Sequence, residues 1–173
     1  MTPRPRKLTP DDADAYLRLR HEMLLDSPWA FLSSPGDDVA EDRVEFGKKL
    51  REPENAILAI DGEDGSLLAV AGVYRVSRLK MRHWASIWGV YTTPSARRRG
   101  FSRAVTSGAI ETARSWGGVE MINIAVSANS PGAQCLYESL GFVAWGREPN
   151  VTRVGDRTYD EIHLAMRLDE GAA

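Results

Sequence analysis

Three β-prone runs joined by short turns constrain this chain most: NAILAI from Asn55, SLLAVAGVYRV from Ser66 and MRHWASIWGVYTT from Met81. The turn DGEDG separates the first two, and SRLK separates the last two. Apolar, β-branched runs with glycine-containing turns between them are hairpin signals. Three antiparallel strands in sequence are therefore expected.

Helical periodicity brackets this meander. Thr9-Pro10-Asp11-Asp12 reads as a helix start, with a hydroxyl cap, proline at the first position and acids at the positive dipole end. Ala13, Tyr16, Leu17, Arg20 and Leu24 then share a face. A second, mostly charged helix is predicted over Val39 to Arg51, with Val44, Phe46 and Leu50 packing inward. After the third strand, Phe101, Ala104, Val105, Ala109, Ile110, Ala113 and Trp116 keep a helical period that Gly117-Gly118 ends. VEMINIAV follows as a strand with Ile122, Ile124 and Val126 on one face. SPGAQCLYESLGF reads as a short helix that Ser130 caps, and two closing strands are predicted around Phe142 to Trp145 and Thr158 to Leu168.

At 173 residues, with 43% hydrophobic and 27% charged, the chain has the size and composition of one globular domain over residues 1–173. The net charge of -2 supplies no global basic field, so nucleic acid is not an expected partner. The single cysteine, Cys135, excludes an internal disulfide and a cysteine-based zinc cluster, and it reads as a buried structural residue. No metal is expected. No signal-like apolar stretch or membrane-length run is present, so the expected location is the cytoplasm.

Between the third strand and the next helix lies TTPSARRRGFSRA, with Arg97, Arg98 and Arg99 just before Gly100. A helix N-terminus has unpaired N–H groups and partial positive charge, and glycine lets the backbone approach an anion closely. Arginines add charge-assisted hydrogen bonds, and the small Ser102 leaves space. A pyrophosphate fits such a turn, although charge alone is equally compatible with a solvated surface cluster. The stretch has neither the lysine and spacing of a P-loop nor the three glycines of a dinucleotide fingerprint.

Arg97-x-x-Gly100-x-Ser102, between a strand and a helix, resembles the Arg/Gln-x-x-Gly-x-Gly/Ala pyrophosphate loop of GNAT-type N-acetyltransferases. The resemblance extends to Val90-Tyr91-Thr92-Thr93-Pro94 before the loop and to Leu136-Tyr137-Glu138-Ser139-Leu140-Gly141-Phe142 after it. It implies an α+β fold whose mixed, mostly antiparallel central sheet is splayed between two parallel strands and flanked by helices. It also implies acetyl-CoA as cosubstrate, lying in the splay. Backbone groups at Val90, Tyr91 and Thr92 would hold the acetyl and pantetheine portions. N–H groups across Arg98, Arg99, Gly100, Phe101, Ser102 and Arg103 would hold the pyrophosphate. The family often carries an asparagine seven positions before the tyrosine of the Leu-Tyr pair; Ser130 has that spacing here and Asn129 precedes it, so either is a candidate for CoA contact. Tyr137 is the candidate general acid for the leaving thiolate. A homodimer is expected by analogy.

The acceptor implied is a primary amine on a small molecule or peptide. An amine is cationic at neutral pH and must lose a proton before attack, yet no residue identifies itself as the base. His83 lies on the long strand, and His163 shares a strand face with Glu161 by parity. His21, Glu22 and Glu45 are further candidates, while Trp84, Ser86 and Trp88 share one strand face. Trp29 and Phe31, in SPWAFLSS, are apolar candidates for a wall beside the acceptor or anchors of the loop to the core. The absence of an obvious base keeps a non-catalytic acyl-CoA-binding or regulatory module as the alternative.

Overall fold

The computed structural model describes residues 4–38 and 42–168. The expected meander forms as β2 (Asn55–Asp61), β3 (Leu67–Arg75) and β4 (Trp84–Thr92), all antiparallel. A two-residue strand, β1 (Arg6–Lys7), adds to the outer edge of β2, where Arg6 pairs with Ala59 and Lys7 with Leu58. Two residues after a proline-rich start carry no period, so the sequence had no signal for it. The helices are α1 (Ala13–Asp26), α2 (Arg43–Lys49), α3 (Phe101–Ser115) and α4 (Pro131–Ser139). Three further strands, β5 (Met121–Ser127), β6 (Val143–Val154) and β7 (Arg157–Arg167), complete the sheet in the order β1-β2-β3-β4-β5-β7-β6.

Among the described strands only β4 and β5 pair in parallel, because α3 carries the chain back across the sheet between them. The sheet is packed on both faces. Ala56, Leu58 and Ile60 of β2 face α3, in a core that includes Val105, Ala109, Ile110 and Ile122. Ile57 and Ala59 face the other way, against Tyr16, Met23 and Phe46 from α1 and α2. That alternation follows from the two-residue period of a strand. Each large apolar side chain taken fully from water contributes about 1.5–3 kcal/mol.

Local departures from the expected elements have physical causes. The first turn at Pro10–Asp12 is a 3-10 turn, and α1 begins only at Ala13. In α2 the expected inward residues Phe46 and Leu50 are buried, but Val44 is exposed, because so short a helix has room for one inward stripe. The predicted Val39 start of that helix lies outside the described residues, as do the extreme ends of the 1–173 span. Strand β6 runs well beyond the expected Trp145 to Val154, passing through Gly146 and Pro149. Proline is tolerated there because β6 is an edge strand with register shifts at Ala144/Gly146 and Glu148/Thr152.

The feature with most consequence for function is on β4. Val70 pairs with Tyr91 and Gly72 with Trp88, so two steps along β3 are matched by three along β4. The extra residue makes a bulge around Gly89 and Val90, and Gly89 takes φ +60°, a left-handed conformation that favours glycine. Pairing between β4 and β5 ends at Ile87 with Ile124, immediately before the bulge. Opposite it, Gly72 leaves room for the Trp88 indole; a Cβ there would lie 2.3 Å from Cε2 and 2.5 Å from Nε1. Gly72→Ala should therefore force the indole to move and cost about 1–3 kcal/mol in denaturant unfolding; an unchanged midpoint would mean that the ring adjusts freely.

Candidate active site

The loop before α3 has the backbone that its sequence suggests. Gly100 is the N-cap residue with φ +80°, Arg98 takes φ +64°, and the Gly100 carbonyl accepts from Ala104 N–H at 3.0 Å. The N–H groups of the preceding first turn have no intrahelical acceptor. A Cβ added at Gly100 would meet no atom within 4 Å, so the turn faces open space. Backbone donors, dipole and clearance coincide at one point.

The arginines divide their work. Arg97 forms an ion pair with Asp26 at the end of α1, donates from Nε to the Thr92 carbonyl at 3.2 Å and lies over the Tyr91 ring at 5.8 Å. Burial alone would push the Asp26 carboxyl up, but hydrogen bonds from Ser27 and Arg97 outweigh it and hold the carboxyl below its ordinary range. Arg97 thus braces the loop against α1 and β4. Arg99 lies over the Phe101 ring at 4.7 Å, and Arg103 donates to Ser139 Oγ at 2.7 Å, which ties α3 to α4. Arg98 lines the adjoining cleft. Ser102 and Thr92 share a hydroxyl hydrogen bond of 2.8 Å, joining the first turn of α3 to the end of β4.

Where β4 and β5 part, a cleft of about 380 Å³ opens. Its β4 wall is Val90, Tyr91 and Thr92; its β5 wall runs from Ile124 to Ser127. From α4 it receives Leu136 and Tyr137, with Ser130 at the entrance to that helix. Of the two candidates before α4, Ser130 lines the cleft, whereas exposed Asn129 does not. The Ser130 side chain makes no capping hydrogen bond, contrary to expectation, so its hydroxyl is not committed to the helix. Tyr137 is buried and packs edge-on against Phe142 at 6.2 Å. Burial pushes its phenol up from a value that already leaves it protonated at neutral pH, and among the described residues no group hydrogen-bonds its hydroxyl. Cys135, expected in the core, is exposed. Residues two apart on a helix point about 200° apart, so the inward turn of Tyr137 sends Cys135 outward.

A second cleft, of about 1130 Å³, lies beside the first. Ala30, Phe31, Trp88, Gly89, Ile124 and Ala125 line both, and they mark where the two meet. Phe31 is held there under the Arg20 guanidinium, 5.7 Å from the ring centroid, and Arg20 is itself paired with Asp38. That pairing accounts for an arginine on the buried face of α1. Trp29 instead anchors the loop: its ring lies 6.4 Å from Tyr159, and its carbonyl accepts from Thr152 Oγ1 at 3.3 Å. Ser86 and Trp88 line the second cleft; Trp84 does not, and it lies 6.1 Å from the exposed His83.

Several candidate bases lie elsewhere. His21, Glu22, Glu45 and His83 are exposed; Glu22 accepts from the Tyr91 hydroxyl at 3.0 Å, and Glu45 pairs with Lys48. Glu161 and His163 line the second cleft. The hydrogen-bonded partner of His163 is not Glu161 but Glu148, with Nε2 2.9 Å from Oε2. Sequence reasoning missed Glu148 because it lies beyond the expected end of β6.

The family model described as the acetyltransferase (GNAT) family matches residues 17–142, which contain the bulged strand, the loop and α4. The chain belongs to the GNAT acetyltransferase family. Solved structures agree on the GNAT fold. A GNAT superfamily phosphinothricin acetyltransferase from Sinorhizobium meliloti, in complex with AcCoA, is 20% identical with a TM-score of 0.85, covering 99% of this chain and 91% of that one. The yncA protein of Salmonella typhimurium, a putative acetyltransferase with its cofactor acetyl-CoA, is 21% identical with a TM-score of 0.83, covering 100% and 98%. A ribosomal-protein-alanine N-acetyltransferase from Brucella melitensis is 21% identical with a TM-score of 0.80, covering 95% and 99%. Among curated proteins none matches. Among the described residues of this GNAT chain, no helix is long and apolar enough to cross a membrane.

Proposed function

We propose that the chain transfers the acetyl group of acetyl-CoA directly to a primary amine on a small molecule or peptide, with both substrates bound together. The observation that carries this reading is the unpaired cleft between β4 and β5, which connects the open helix start at Gly100 with an unpartnered phenol at Tyr137. The two structural relatives solved with acetyl-CoA have the same fold and support the choice of donor.

Each donor-side residue acquires a role from its position. The N–H groups from Arg98 to Arg103 bind the pyrophosphate, and Arg98 adds charge at the mouth of the cleft. Arg97 acts at one remove, by holding the loop to Asp26. Backbone groups of Val90, Tyr91 and Thr92, freed from β5 by the bulge, hold the pantetheine and orient the thioester carbonyl. An N–H aimed at that oxygen stabilises the charge that develops as the amine attacks. Ser130, rather than Asn129, contacts the pantetheine. Tyr137, a protonated phenol at neutral pH, gives its proton to the departing sulfur.

The adjoining second cleft is the amine site, entered at Phe31, Trp88 and Ala125. A purely acyl-CoA-binding module would not need that second cleft or an uncommitted phenol in the wall of the first. These two features favour catalysis over the regulatory alternative.

Gly100→Glu should weaken acetyl-CoA binding by calorimetry at least ~100-fold, about 2.7 kcal/mol, because it puts a carboxylate in the phosphate cradle. Gly100→Ala has the same left-handed strain without the charge and should keep most of the affinity. Equal affinity in a folded Glu variant would remove the loop from the site. Tyr137→Phe should lower kcat for acetyl-CoA-dependent thiol release by about 100-fold while donor affinity stays near wild type. A wild-type rate would take the acid role from Tyr137.

A further inference from the structure

Resting on the acetyl-transfer reading, we propose that His163 is the general base that takes the proton from the acceptor ammonium, and that Glu148 positions its ring. The inference starts from sheet register. Ala125, whose small exposed side chain lines both clefts at their junction, is the cross-strand partner of His163. Directly opposed residues on neighbouring antiparallel strands have Cβ atoms about 4.5–5.5 Å apart on one face of the sheet. His163 therefore stands one strand away from the point where donor and acceptor meet, and its cross-strand neighbour there is only the methyl group of Ala125.

The ring is oriented for the task. A carboxylate can only accept a hydrogen bond, so the 2.9 Å contact with Glu148 Oε2 assigns the hydrogen to His163 Nε2. Nδ1 is then the proton acceptor, and among the described residues it has no partner. The Trp145 ring, 5.4 Å from the imidazole, covers it from β6. Facing charged groups come from two strands: Glu148 on β6 and Glu161 on β7, each with a carboxylate oxygen that lies, with a ring nitrogen of His163, within 4.8 Å of the others. The paired Arg20 and Asp38 line the same cleft from α1 and the loop after it.

Two further acceptors nearby have no hydrogen-bond donor among the described residues. Burial pushes the Glu161 carboxyl up, a sign that it is withdrawn from water. Asn123 Oδ1, on the same face and diagonal to His163 in the register, is buried without a hydrogen-bond partner. An orphaned buried acceptor costs about 1–3 kcal/mol, and because Asn123 lines the cleft, a rotation of its amide would present it to an incoming N–H group. Acceptors on β5, β6 and β7 converge on a ligand that is cationic and rich in N–H.

The proton balance is complete. Of the three ammonium protons, one passes to His163 Nδ1 and on to solvent. The freed nitrogen attacks the thioester carbon; the C–N bond forms and the C–S bond breaks. A second proton reaches the sulfur through Tyr137, which gives up its own proton and regains one from nitrogen. The third stays on the product amide.

The test is the pH profile of acetyl-CoA-dependent thiol release for wild type, His163→Gln and Glu148→Gln, with n-butylamine, spermidine, L-methionine and an alanine-started peptide as probes. Acetyl-CoA binding is measured by calorimetry on the same proteins. His163→Gln should lower kcat about 100-fold, abolish the acid-side ionisation and leave acetyl-CoA affinity within about twofold. Glu148→Gln, whose amide oxygen still accepts from Nε2, should lower kcat by no more than about tenfold while the KM for acetyl-CoA stays near wild type. A purely structural role would lower acetyl-CoA affinity and kcat together. An unchanged rate and profile in His163→Gln overturns the assignment. Acetyl-CoA binding without transfer to any of the amines also overturns it and leaves the donor site standing; no binding at all overturns the donor reading and this assignment with it.

Discussion

The extra residue in β4 is the constraint on which the site depends. Parallel strands normally continue their ladder as far as both chains run, and β4 and β5 do so only from Trp84 to Ile87. The bulge at Gly89 and Val90 turns β4 away while its pairing with β3 resumes at Tyr91. Backbone groups beyond Ile87 on the β5 side are left without sheet partners in the middle of a packed domain. Unpaired backbone inside a fold is costly, so this arrangement implies something other than a strand to satisfy it. The end of β4 leads directly into the loop that opens α3, so one local irregularity places the cleft beside an open helix start.

Stability and binding draw on different members of the arginine cluster. Arg97 is committed to Asp26, to the Thr92 carbonyl and to the Tyr91 ring, and Arg103 is committed to Ser139. These contacts fix the loop relative to α1, β4 and α4. The backbone N–H groups between them are thereby held in place before a ligand arrives, which reduces the ordering cost of binding. A similar division holds in the second cleft, where the Arg20 and Asp38 pair shapes the wall around Phe31 and leaves the convergent acceptors near His163 to meet the substrate.

Much of this was legible in the residues. The period-two runs located the meander, the period-3.6 apolar face located α3, and Gly100 located the left-handed turn that opens it, because each rests on local chemistry that a short stretch carries in full. The base pair was not legible. His163 and Glu148 are 15 positions apart, and their contact depends on the bulged course of β6 through Gly146 and Pro149, residues that read as a stop to the strand. The inward turn of Tyr137 and the outward turn of Cys135 depended on which face of α4 meets the sheet, and two residues of β1 carried no pattern. The choice between Asn129 and Ser130 likewise needed the path of the chain between β5 and α4.

The most direct test of the central claim is a crystal structure of the chain with acetyl-CoA. The account predicts the pantetheine between β4 and β5, the pyrophosphate against the amides from Arg98 to Arg103, and the sulfur within hydrogen-bonding reach of the Tyr137 hydroxyl. Acetyl-CoA bound outside the cleft, or β4 and β5 paired continuously past Ile87, would contradict it.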